Sequence, residues 1–121
     1  WIGNLNIHHF TNTIQPDTSV KKVFDQTYKM NFGKQPSKYS YLGYDVLYHF
    51  TMNLKSGGKH FQFCLDKDKE IKKGIFYDFD FKRIKPNNGF ENRAFHFIKY
   101  NTDLSTQYIQ ISNAPIKSFF D

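Results

Sequence analysis

The residues able to do chemistry are five histidines, His8, His9, His49, His60 and His96, the lone Cys64, and the carboxylate pair Asp78 and Asp80. Metal binding needs ligands at set spacings, and none of the histidines forms a His-x-x-x-His pair or has a Glu at zinc-site spacing. His8 and His9 are neighbours in a strand-like stretch, which sends them to opposite faces. Cys64 cannot staple its own chain. His60 lies four residues before it, but that spacing alone is weak evidence for an activated thiol, and an inert, half-buried thiol is expected. Asp78 and Asp80, two apart, share one face of a strand, where paired carboxylates can do acid–base work. On a solvated face the same spacing serves solubility, and that is the expectation. "KSGGK" lacks the strand–helix context of a phosphate loop, and no Gly-x-Ser-x-Gly elbow is present. The residue count therefore predicts no catalytic residue, no metal and no cofactor.

The elements that must position these residues are readable from periodicity. Residues 2–10, "IGNLNIHHF", alternate Leu5 and Ile7 and predict a strand. Asp17 or Ser19 can cap the helix that follows, in which Val20, Val23, Phe24, Thr27 and Tyr28 form an apolar stripe. Gly33 stops it, and Pro36 forbids continuation. Ser37 can cap a second helix running to about Ser56, with Tyr39, Leu42, Val46 and Phe50 as its stripe. Gly43, Leu47 and Leu54 widen that stripe, which predicts burial on two sides and a close backbone neighbour at Gly43. Gly57-Gly58 ends the helix. Residues 60–73 read as a short helix and a polar loop. In "GIFYDFDFKRI", Ile75, Tyr77, Phe79 and Phe81 point one way, while Asp78, Asp80 and Lys82 point to solvent. "ENRAFHFIKY" and "STQYIQIS" complete an expected antiparallel meander over 75–112.

With 121 residues the prior is one domain, large enough for a core without disulfides. Aromatics make up 19% of the chain, 14 of them Phe and 8 Tyr, so aromatic packing must build that core. The net charge is +6. The lysines are scattered, and the densest run, Lys67 to Lys73, is interleaved with Asp68 and Glu70. That pattern reads as a solvated face and disfavours nucleic acid as a partner. No apolar run reaches membrane-spanning length. The chain opens at Trp1 with neither an initiator Met nor a signal-peptide pattern, and reads as a processed or excised piece. Unpaired strand edges and apolar helix faces in such a piece predict self-association.

The order "VFDQTYKMNFGKQPS", "YSYLGYDVLYHF", "GIFYDFDF" and "NNGFENRAFHFIKY" resembles the C-terminal third of type 1 periplasmic ligand-binding proteins, those like the leucine/isoleucine/valine-binding protein of ABC transporters. The resemblance covers roughly residues 17–104, and its style is similar to Bacteroidetes envelope versions, some of which carry LysM modules. It implies an α/β fold, strand–helix–helix followed by an antiparallel strand meander. Residues 1–121 would be one domain, the C-terminal portion of a larger two-lobed protein of the periplasm or cell envelope. The implied function is non-enzymatic binding of a small molecule such as an amino acid, with a membrane permease as a further partner. A cell-wall structural or interaction role on the same scaffold is the alternative. Tyr39, at the mouth of the second helix, matches the family's ligand-contacting aromatic, and Tyr41 is its nearby alternative. Gly43, Tyr44 and Asp45 match a structural part of that helix.

Overall fold

The computed structural model describes residues 7–67, 71–83 and 85–110. The fold is mixed α/β: two helices with antiparallel strands. In chain order it runs β1 (His8–Thr11), α1 (Thr18–Phe32), α2 (Lys38–Gly57), a 3-10 helix (Gly58–Phe63), β2 (Phe81–Arg83), β3 (Phe90–Asn92), β4 (His96–Tyr100) and β5 (Thr106–Gln110). Among the described residues no helix is long and apolar enough to cross a membrane.

Both helices start where their capping residues dictate. The Asp17 carboxylate accepts from the Ser19 and Val20 amides, and the Ser37 amide donates to Ser40 Oγ at 3.1 Å. Gly33 closes α1 in the left-handed region at φ 69°, its amide bonded to Lys29 O. The helices run antiparallel and meet through long side chains. Phe24 packs on Tyr41 and Tyr44, Ser40 donates to Tyr28 Oη, and Tyr41 donates to Asp25.

The apolar stripes sit differently from expectation. In α1 the half-buried line is Lys21, Phe24, Asp25 and Tyr28, and Val20 and Val23 stay exposed. Polar partners on α2 turn the helix: Tyr41 recruits Asp25 and, through it, Lys21. In α2 the buried line is Tyr41, Asp45 and His49, with Leu42, Val46 and Phe50 alongside. Gly43 is exposed, and a methyl group there would meet nothing. It lies about 200° round the helix from Tyr41. The expected close backbone neighbour and two-sided burial are therefore not found.

The strands form two sheets rather than one meander. β4 lies between β1 and β5, antiparallel to both, and β2 pairs only with β3. Asn92 lies at the break. Its Oδ1 accepts from the Asp80 and Ala94 amides and its Nδ2 donates to Asp78 O, so side-chain bonds at the end of β3 tie it to the segment before β2 and to the turn toward β4. The expected strand before β2 is reduced to isolated bridges, Thr13 to Tyr77 and Lys72 to Phe79. Leu5, on the expected first strand, falls outside the described residues.

The core is small and aromatic. Tyr41, Leu65, Ile75, Phe79, Ala94, Phe97 and Ile98 are buried, together with four polar residues, Asp45, His49, Asp78 and His96.

Candidate functional site

The polar residues of the core are fixed by chain segments far apart in sequence. Asp45 is only 2% exposed. Its carboxylate accepts from the Ile75 amide at 2.7 Å, the Phe76 amide at 2.9 Å and the Tyr77 amide at 3.1 Å. Three converging N–H groups neutralise the desolvation cost of a buried carboxylate. The result is a latch that holds residues 75–77 against α2. Gly74 makes the approach feasible, because a Cβ there would stand 2.6 Å from Asp45 Cγ and closer still to Tyr77 O.

That latch shapes a cleft. Thr13, Ile14, Gln15 and Pro16 from the β1–α1 connection form one wall. Lys38 and Tyr41 from α2, Phe76 and Tyr77 from the latched segment, and Tyr108 from β5 complete a hollow of about 400 Å3. That volume falls within the range of small-molecule sites. Among the described residues that line it, four of nine are aromatic and Lys38 is the single cation.

Tyr41 and Tyr39 take different places. Tyr41 is buried between Phe24 and Phe76, at ring-centroid distances of 5.1 and 4.6 Å, and presents part of the cleft wall. Its hydroxyl donates to Asp25 Oδ1 at 2.5 Å, and Lys21 Nζ also reaches Asp25. Burial and the bond to Asp25 push the Tyr41 hydroxyl pKa up. Burial works to raise the Asp25 carboxyl, but the Lys21 and Tyr41 donors outweigh it and hold Asp25 below its ordinary range. Tyr39 is 70% exposed, carries the Lys38 ammonium 5.0 Å from its ring centroid, and does not line this cleft.

The remaining sequence candidates are also placed. Asp78 and Asp80 do not share a solvated face. Asp78 is buried beside His96, while Asp80 pairs with Lys82 at 3.0 Å. The alternation misled because residues 71–80 cross between the two sheets instead of lying at the surface of one. Cys64 is exposed rather than half-buried. His8 and His9 are both exposed, whereas His49 is buried and stacks on Phe79 at 4.5 Å. Periodicity had no access to the pairing of Asp45 with residues 75–77 or of Asp78 with His96, since these partners lie 18 or more residues apart. Comparison with protein families, with curated proteins and with solved structures finds no match to this chain.

Proposed function

We propose that this chain is a non-enzymatic binding module for a small molecule, the C-terminal part of a solute receptor of the type 1 periplasmic class. Its place would then be the cell envelope, with a transporter permease as its downstream partner. One observation carries the reading: the aromatic cleft of about 400 Å3 walled by Tyr41, Phe76, Tyr77 and Tyr108, with Lys38 at its edge. A hollow lined by rigid rings with one charged group is suited to hold an apolar or planar body and fix its orientation. The absence of a nucleophile–base pair among the cleft-lining residues favours binding over catalysis. The motif order from "VFDQTY" to "NNGFEN" supports the receptor class. On this reading Tyr41 is a wall of the site, and Tyr39 lies outside it.

A thermal-shift screen tests the proposal. The panel holds free amino acids, short peptides, monosaccharides and small organic acids. At least one class is expected to raise the melting temperature with concentration, as any ligand that favours the folded state must. Lys38→Ala, at an exposed position, should weaken that rise. A panel without effect up to millimolar concentration overturns the proposal.

A further inference from the structure

Ile14, Gln15 and Tyr108 also line a second hollow, of about 230 Å3, with Lys73, Asp78 and His96. The aromatic cleft and this recess therefore share a wall. At its floor the Asp78 and His96 side chains are 1% and 5% exposed, with His96 Nε2 3.2 Å from Asp78 Oδ2. A buried ionisable pair is seldom kept for stability alone, because its desolvation cost offsets its attraction.

The groups around the pair come from four parts of the chain. Lys73 and Asp78 lie on the segment before β2, and His96 opens β4. Tyr108 belongs to β5, and Gln15 to the β1–α1 connection. Among the described residues Asp78 is the only carboxylate in the lining, and it is already engaged by His96 and by the Gly74 amide. Lys73, Gln15 and Tyr108 all carry hydrogen-bond donors, and Lys73 is exposed enough to reach a solute. We propose that the recess receives the acidic group of the ligand, a carboxylate or a phosphate, held by Lys73 with Gln15 and Tyr108. His96 backs it from the floor, 3.2 Å from Asp78. The ligand's body would then extend into the aromatic cleft, so this inference rests on the binding reading above and adds the charge of what is bound. A water occupies about 30 Å3, so the recess has room for such a group and a few waters.

The sign of the pH dependence follows from the pair. Burial pushes the Asp78 carboxyl up, against the attraction of His96 and Lys73. Protonating Asp78 makes the floor less negative, so an anion binds more tightly as pH falls.

Inorganic phosphate and acetate are the probes, titrated separately against the intact chain while the His96 ring signals are followed by NMR. A saturable shift is expected, and the tighter of the two anions identifies the acidic group. Acetate serves the pH arm, and over the range in which it stays ionised it should bind more tightly as pH falls. Lys73→Met should weaken binding about tenfold, the scale of a lost charge-assisted contact. Lys85→Met, an equal charge change on an exposed turn, should leave binding unchanged. Unmoved His96 signals, equal losses in the two lysine variants, or pH-independent affinity would each overturn the inference. Failure is separable from that of the binding module. A neutral panel member that binds while His96 ignores both anions sinks only this inference, whereas a panel without any effect sinks the binding reading and this inference with it.

Discussion

The Asp45 carboxylate on α2 accepts the Ile75 amide at 2.7 Å, across thirty residues of chain. The same carboxylate also takes the Phe76 and Tyr77 amides, so one side chain fastens a whole segment to the helix. Asp45→Ala would leave three amides without their acceptor and should cost about 3 kcal/mol or more. Gly74→Ala should act through the same latch, because its methyl would collide with Asp45 Cγ and Tyr77 O. Urea denaturation of both variants and their double mutant is the check. The losses should be less than additive. A loss below about 1 kcal/mol for Asp45→Ala would show that the latch is not a main support of the fold.

Gly43 offers the opposite case. It lies on the exposed side of α2, where a methyl group meets nothing. Gly43→Ala should therefore raise stability by about 0.5–1 kcal/mol, by lowering the entropy of the unfolded chain. A drop in melting temperature would place a neighbour against that face.

Asp78 should give stability an unusual pH slope. Its carboxyl is pushed above its ordinary value by burial, despite His96 and Lys73. A raised folded-state pKa contributes stability that is fully present below the unfolded pKa, near 3.9, and is lost as pH rises through the folded value. The stability difference between the native chain and Asp78→Asn should thus shift in favour of the variant from about pH 4 toward neutrality. Denaturant midpoints at several pH values read this directly. A difference that shifts toward the native chain with rising pH would contradict the assignment.

Helix ends were legible because capping is local: Asp17, Gly33, Ser37 and Gly57-Gly58 all act within a few residues of themselves. Tyr44 and Tyr48, one turn apart on α2, stack their rings at 5.9 Å. The facing of the helices was not. Hydrophobicity placed Val20, Val23 and Leu47 inward, whereas polar contacts from Asp25, Asp45 and His49 decide which side is buried. Of the period-two face expected over residues 75–82, Ile75 and Phe79 are buried, but Tyr77 and Phe81 are only half-buried and Asp78 is buried as well. The polar face meets His96 from another sheet, a contact no local pattern encodes. Of the cleft, Tyr41 was named from sequence, but Phe76, Tyr77 and Tyr108 reach it only through the latch and the β4–β5 pairing.

Association should follow from the outward apolar residues. Val20, Val23, Phe24, Thr27, Tyr44 and Ile75 line a groove of about 390 Å3 between the helices, and Leu47 and Tyr48 stand exposed on the α2 side. Exposed apolar residues grouped on one face are a common feature of association surfaces. We expect the 121-residue chain to dimerise through this face, each copy presenting the same groove to the other. Light scattering at micromolar concentration should report the dimer, and Leu47→Glu should return it to a monomer. A native chain that stays monomeric would remove the helical face from consideration as a self-contact.

The account centres on the aromatic cleft, and the most direct measurement is to map backbone amide shifts by NMR as the strongest stabiliser from the thermal screen is added. The account predicts that the amides of residues 13–15, 38, 41, 76, 77 and 108 shift together with one saturation curve, while those of α1's outer face stay still. Shifts that saturate elsewhere, or that scatter over the surface without saturating, would contradict it.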